Sequence, residues 1–394
     1  MKNMAPKGFL FSTVEAAVKK PGRQDIALIV SAVEADMAGT FTTNMVKAAP
    51  VKICIKKIAS CAGQAIVVNS GNANACTGQQ GMKDAREMIS IVSNEAGLSQ
   101  DLVYIASTGV IGTPLPMERI RQPLKALAKG IGKADLDGVA KTIMTTDTFP
   151  KVVHKRLKIG NLNGTISGIC KGAGMIAPNM ATMLCFILTD FAVDRKTLSA
   201  VLKSAVNRSF NRITIDGDMS TNDTVLLMAN GLAGNEPINA KSPDLARFQK
   251  AIDEITYELA ELVVKDGEGA TKLVEVLVKG ARSEKDAEKA AFSVANSSLV
   301  KTAIYGNDAN WGRIICAVGY SGISFKEEKA DIFFNNVKVV KDGLANNKDK
   351  EATEVLKSKK IRITVDLKSG KAAAKVLTCD LTEEYIRINA EYRT

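Results

Sequence analysis

Lys171-Gly-Ala-Gly-Met-Ile-Ala-Pro-Asn-Met-Ala-Thr-Met-Leu184 begins a stretch, Gly172 to Thr189, that runs eighteen residues without a charge between Lys171 and Asp190. That is long enough for a membrane span, but Gly172, Gly174, Pro178, Asn179 and two threonines are poor spanning material. Gly172-Ala-Gly174-Met-Ile-Ala177 also matches the G-x-G-x-x-A of dinucleotide sites. Such a site needs a helix next, so that the pyrophosphate meets its N-terminus. Here Pro178-Asn179 follows, and then Thr182 to Leu188 reads as an apolar strand. A strand, an irregular approach and another strand do not make the βαβ unit of a doubly wound sheet. The expected class is α+β, built in layers.

The flanks point the same way. Asp25 to Ser31, Val51 to Lys56 and Gln64 to Asn69 are apolar or β-branched runs of strand length. Gly81 to Ala96 and Met117 to Ile131 carry apolar residues at helical spacing. Val152 to Cys170 reads as a hairpin, with its turn in Asn161-Leu162-Asn163-Gly164. Beyond Asp190, Asp194 caps a helix from Arg195 to about Phe210, and Ser242-Pro243 opens one running to about Val264. Ser283 and Asp286 form a capping box for a third. Asp331 to Val340, Lys360 to Leu367 and Ala372 to Cys379 return to strands. At roughly 150 residues per domain, 394 residues suggest two or three domains. The expected division is catalytic α/β layers over 1–190, a helical middle region over 191–280 and an α+β region over 281–394.

Histidine excludes the most chemistry. The single one, His154, rules out a multi-histidine metal site or proton relay, and any Ser-His-Asp or Cys-His triad would have to use it. It lies in the basic run Lys151 to Lys158 and reads as a surface residue without a catalytic role. The net charge of +11 is scattered, and its densest runs have no interleaved aromatics, so a solvated surface is expected rather than a nucleic-acid face. The seven cysteines form no C-x-x-C, and several lie in apolar runs, such as Ile53-Cys54-Ile55 and Leu184-Cys185-Phe186, where they read as reduced core thiols, which fits a cytoplasmic protein. Met1 to Lys20 has no apolar core of a secretory signal. Asp216-Gly-Asp218-Met-Ser220 begins like a calcium loop but lacks the required Gly and the final Glu, so no metal is expected.

What remains is a set of small, hydroxyl-rich segments between apolar strands, more like the walls of a polar pocket than a row of solvent turns. Without histidine, a threonine can serve as nucleophile if a base adjoins it. A free N-terminal amine, with a pKa of about 7.7–8.0, can be that base. Exposing one on an internal threonine requires a cut before it. The hydroxyl can make that cut by attacking the preceding carbonyl, and Ala181-Thr182, approached through small residues, suits it.

Here a resemblance becomes specific. Lys171 to Leu184 resembles the self-cleavage motif of the ornithine acetyltransferases, also called arginine-biosynthesis glutamate N-acetyltransferases. Ser107-Thr-Gly-Val-Ile-Gly112, Met144-Thr-Thr-Asp-Thr148, Thr221-Asn-Asp-Thr224, Asp266-Gly-Glu-Gly-Ala-Thr271, Gly306-Asn-Asp-Ala-Asn-Trp-Gly-Arg313 and Tyr385 to Thr394 match in the same order. The resemblance implies an α/β/β/α sandwich like that of N-terminal-nucleophile enzymes, with additional smaller α+β domains. It implies a cut between Ala181 and Thr182, giving an α chain of 1–181 and a β chain of 182–394 that assemble as an α2β2 heterotetramer. It makes Thr182 the nucleophile and its freed amine the general base. Thr108 and Gly109 become the oxyanion hole, and Thr145, Lys171, Thr182, Glu268, Asn389 and Thr394 the substrate-binding positions. The implied reaction moves acetyl from N2-acetylornithine to L-glutamate through an acetyl-Thr182 ester. No bound cofactor is implied, with acetyl-CoA as a possible further donor, and neither nucleic acid nor membrane is a partner. An alternative of different class is an N-terminal-nucleophile aminopeptidase or amidase, in which water takes the acyl group.

Overall fold

The computed structural model describes residues 5–60, 62–177 and 183–391. The chain divides into two compact units. The first takes in residues up to Gly172 together with 183–211 and 218–263 of the described chain, and the second the rest.

The first unit is built on an eight-stranded sheet among the described residues: β1 (Phe9–Val14), β2 (Ile26–Phe41), β3 (Ala62–Asn72), β4 (Val103–Val110), β5 (Lys151–Ile159), β6 (Leu162–Lys171), β7 (Leu184–Thr189) and β8 (Thr224–Ala229). The order is β4-β3-β2-β8-β7-β6-β5, with β1 also paired to β2. β2 is long enough to serve two partners in succession, β1 along Ile26–Ser31 and β8 along Asp36–Phe41. β3 with β4, and β7 with β8, run parallel. Helices α1 (Ala49–Lys57), α2 (Gly78–Ala96), α3 (Met117–Lys129), α4 (Leu136–Thr142), α5 (Arg195–Arg208) and α6 (Leu245–Lys265) lie between the strands in sequence.

Consecutive residues Ile26 to Val30 and Ala65 to Val68 enter one core, so this part of the sheet is covered on both faces. Leu184, Phe186 and Leu188 of β7 join that core at alternate positions. Ile187 faces the other way, where Gly168 of β6 lies against α6. A Cβ on Gly168 would stand 2.8 Å from Leu259 and 3.0 Å from Ile255. Strands layered against helices follow, as the α+β reading expects.

Several local expectations change. Val51 to Lys56, expected as a strand, is inside α1. Pro50 stands in the first turn, Val51, Ile53 and Cys54 are buried, and Lys56 and Lys57 sit where the C-terminal dipole favours cations. The β5–β6 turn is Gly160-Asn161, with Ile159 opposite Leu162 and Gly160 at φ 56°. Asn163 and Gly164 are therefore in the strand. Gly164 is needed for packing, since a Cβ there would come 2.5 Å from the Phe191 ring. α6 begins at Leu245, and the Ser242 hydroxyl instead accepts the Asn239 N–H at 2.9 Å. His154 is half-buried, its Nδ1 2.8 Å from the Ser167 hydroxyl, and burial pushes it below its ordinary value.

The second unit holds a six-stranded sheet among the described residues: β9 (Leu273–Ala281), β10 (Asp331–Phe334), β11 (Val337–Lys341), β12 (Leu344–Ala345), β13 (Lys360–Asp366) and β14 (Ala372–Cys379), in the order β12-β11-β10-β13-β9-β14. The helices are α7 (Glu284–Asn296), α8 (Ser298–Tyr305), α9 (Trp311–Gly319), α10 (Asp349–Leu356) and α11 (Glu383–Ala390). Ser283 caps α7 as expected, accepting the Asp286 N–H at 3.1 Å. The small face of α7, Ala287, Ala290 and Ala291, lies in one core with Val274, Val276 and Val278 of β9. Asp331 to Val340 is two antiparallel strands rather than one, because Asn335 takes a left-handed φ of 49° and turns the chain.

Candidate active site

The first unit brings its polar residues together at one end of the sheet. Lys171, the last residue of β6, pairs with Leu184, the first of β7. Leu184 pairs with Thr224, the first of β8, and Thr224 with Phe41, the last of β2. The residues flanking this row therefore collect there. Met183 donates its N–H to Asp223 Oδ1 at 2.9 Å, and Thr42 its N–H to the Asp223 carbonyl at 3.0 Å.

β4 supplies Thr108 and Gly109. Lys171 Nζ donates to Thr108 Oγ1 at 3.3 Å. With a lone pair engaged by the ammonium, the Thr108 hydroxyl proton is directed to some other acceptor. The Asn222 amide donates to the carbonyls of Ala73 and Ser107, both at 2.7 Å, and so fixes the backbone just before Thr108. Gly109 has φ 137°, and a Cβ there would stand 2.2 Å from the Gly71 carbonyl carbon, so no other residue fits. A hydroxyl and the next backbone N–H are the donor types that stabilise a tetrahedral oxyanion.

Thr145 lies in the loop after α4, with its N–H on Asp147 Oδ2 at 3.0 Å. Asp147 Oδ1 accepts from Lys151 Nζ and from the Gly172 N–H, each at 2.7 Å. Lys151 has no exposed surface, and Asp147 is also buried. Burial would push Asp147 up, but the charges of Lys171 and Lys151, with the hydrogen bonds from Lys151 and Thr145, bring it down to about 2. It is therefore a fixed anion between two lysines. A cavity of about 560 Å³ borders this cluster, lined by Arg23, Lys141, Met144, Thr145 and Asp147 among others.

The second unit carries its own group. Asn389 Nδ2 donates to Glu268 Oε2 at 2.8 Å. The Glu268 N–H donates to the Ala173 carbonyl at 2.7 Å, and a Cβ on Gly174 would stand 2.3 Å from Glu268 Oε2. Only a glycine lets the carboxylate lie so near the 173–177 loop. Asp216 accepts the N–H groups of Met175 and Ile176 at 2.5 and 2.8 Å, and the Tyr385 hydroxyl at 3.3 Å. Met175 is held at φ 57°, a conformation that costs a residue with a side chain about 1–3 kcal/mol.

The structure thus joins Thr108 to Lys171, connects Thr145 to the same cluster through Asp147, and joins Glu268 to Asn389. Ala181, Thr182 and Thr394 lie outside the described residues. Sequence reasoning gave no role to Asp147, Lys151, Asn222 or Asp223. Their signal was present, in that each acid sits inside a threonine-rich segment with few charged neighbours. Among the described residues, no group of three or more His, Cys, Asp or Glu is placed to hold a metal ion, and no helix is long and apolar enough to cross a membrane.

Comparison with known proteins gives a consistent set. The ArgJ family matches residues 10–394. The chain is 55% identical over 393 residues to the arginine biosynthesis bifunctional protein ArgJ of Geobacter sulfurreducens, covering 99% of this chain and 100% of that one. It is 46% identical over 403 residues to the glutamate N-acetyltransferase of Methanocaldococcus jannaschii, covering 99% and 98%. A solved chain of the arginine biosynthesis bifunctional protein argJ from Bacillus halodurans matches with a TM-score of 0.51 at 46% identity, covering 52% of this chain and 97% of that one.

Proposed function

The chain belongs to the ArgJ family, and from that premise we propose that it moves acetyl from N2-acetylornithine to L-glutamate through an ester on Thr182. It is an acetyltransferase of arginine biosynthesis. In this reading the Thr182 hydroxyl attacks the Ala181 carbonyl, the acyl group shifts from N to O, and water hydrolyses the ester, leaving chains of 1–181 and 182–394. The freed amine then takes the Thr182 hydroxyl proton as the oxygen attacks the acetyl carbon of N2-acetylornithine. Thr108 and Gly109 hold the oxyanion, and the amine returns the proton to the departing ornithine nitrogen; glutamate's amine then attacks the ester, the bond from acetyl carbon to Thr182 oxygen breaks, and the Thr182 amine carries the proton lost by glutamate's nitrogen to that oxygen.

The observation that carries the reading is the Lys171–Thr108 contact, made by a lysine that is strand-paired with Leu184, two residues after Thr182. Lys171 suits a substrate carboxylate, and Glu268 with Asn389 suits an ammonium. The Bacillus halodurans chain, matched over 97% of itself by 52% of this one, is about half-length, as a product of a mid-chain cut would be. We extend the proposal to an α2β2 assembly in the cytoplasm and, since the Geobacter relative is named bifunctional, to acetyl-CoA as a second donor.

The test is a denaturing gel of wild type beside Thr182→Ala, with acetyl transfer to glutamate measured on both. Two roughly half-size bands and transfer in wild type, against one full-length inactive band in the variant, are expected. An intact wild-type chain with full activity refutes the mechanism. Release of acetate without transfer makes the protein an amidase.

A further inference from the structure

Among the described residues, one buried side-chain polar atom has no hydrogen-bond partner: Oδ2 of Asp223. The residue is wholly buried. Its other oxygen is engaged by the Met183 N–H at 2.9 Å. The Thr42 hydroxyl also lies beside the carboxylate, but its proton goes to the Ser220 carbonyl at 2.8 Å. Lys171 is the charged group that faces it, and burial pushes the carboxyl well above the usual range despite that lysine, a penalty on the charged form that a second cation beside Oδ2 offsets. Natural proteins rarely leave such an oxygen unsatisfied, so it calls for an explanation.

Connectivity supplies one. The atom bonded to Met183 N is the carbonyl carbon of Thr182. An α-amine on Thr182 is three bonds from Met183 N, so the two nitrogens stay within about 4 Å of each other. In the uncut chain Thr182 N is an amide with a single proton. After the cut it is an amine with two or three.

We propose that Asp223 is the positioning residue for the Thr182 terminus: Oδ1 keeps the Met183 N–H, and Oδ2 accepts a hydrogen bond from the amine that self-cleavage frees. This rests on the reading of Thr182 given above. The carboxylate turns the amine's lone pair towards the Thr182 hydroxyl. When the hydroxyl proton moves to the amine, the ammonium that forms meets an anion, and the proton passes on to the leaving nitrogen. No covalent bond to Asp223 forms at any step.

The test uses the full-length protein as wild type, Thr182→Ala and Asp223→Asn. The asparagine oxygen still accepts the Met183 N–H, while the charge is gone. Asp223→Asn is expected to cut itself and to keep KM for N2-acetylornithine within about twofold, with kcat down about tenfold or more. The acid limb of its kcat/KM profile moves to lower pH, because an amine without its carboxylate partner holds its proton less tightly. A cut variant with wild-type kcat and an unmoved acid limb overturns the proposal. So does a folded variant that stays uncut, since the role then precedes the amine. If the variant does not fold, a crystal structure of mature wild type decides. Oδ2 within hydrogen-bond distance of Thr182 N supports the proposal, and Oδ2 bonded only elsewhere overturns it. A wild-type chain that stays whole on the gel defeats the Thr182 reading itself. With wild type cut and active, failure falls on Asp223 alone.

Discussion

Asp147→Asn tests the electrostatic core of the site. The substitution keeps the side chain's shape and one acceptor oxygen but removes the anion facing two buried lysines, Lys151 and Lys171. Two routes give the size of the effect. Asp147 falls from an ordinary 3.8 to about 2, which by linkage is about 2 kcal/mol of stability at neutral pH. Removing one partner of a buried ion pair costs about 3–5 kcal/mol, because the remaining charge stays desolvated. The expected loss therefore lies between about 2 and 5 kcal/mol. The folded value is the depressed one, so the contribution is complete above pH 4 and fades as pH falls from about 4 towards 2. The assay is urea unfolding followed by circular dichroism, in a Thr182→Ala background that the proposed self-cleavage would leave whole. At pH 7 the variant should be less stable by that amount, and the gap should narrow at about pH 3. Adding Lys151→Met should recover part of the loss, since it removes a cation that no longer has its anion. A loss under about 1 kcal/mol at pH 7, or a gap that does not change with pH, refutes the argument.

Thr108→Val removes the hydroxyl but keeps the shape, so kcat should fall about 10²–10³-fold with little change in KM for N2-acetylornithine. Steady-state kinetics decide it, and an unchanged kcat ends the oxyanion role. Glu268→Gln keeps an acceptor for Asn389 but removes the charge, and KM for N2-acetylornithine should rise about tenfold while the melting temperature stays close to wild type. Deleting Tyr392 to Thr394 should raise the same KM if the tail docks by the substrate, and unchanged kinetics would show that it does not.

Helices with their own punctuation were the most legible elements. Asp194 and Ser283 cap α5 and α7 through the backbone N–H groups that the sequence pattern names. Val51 to Lys56 misled because its apolar residues satisfy both periods over six positions, and only Pro50 before it favours the helix. Gly164 misled in another way. Asn163-Gly164 is a strong turn signal, but this glycine is there for the Phe191 ring, and a contact with a residue 27 positions away leaves no local trace. Strand partners were beyond reach for the same reason. The double service of β2 and the parallel pairing of β7 with β8 are set by long-range packing, to which local pattern is blind.

The parallel pairing of β7 and β8 also explains why the site was only half legible. Composition could exclude histidine chemistry, and threonine-rich segments could suggest a polar pocket, because both are properties of residues taken singly. The charges that control such a pocket belong to pairs. Asp147 is held as an anion despite its burial because Lys151, four residues along the chain, and Lys171, 24 residues on, face it. Asp223 meets Met183 only because two parallel strands start side by side, one just after each residue. In an antiparallel pair, the residue before one strand would face the end of the other, and Asp223 would be a strand's length from the Met183 N–H. The order of strands in the sheet, more than the identity of the acid, is what places a carboxylate at the Met183 N–H, next in the chain to the proposed nucleophile.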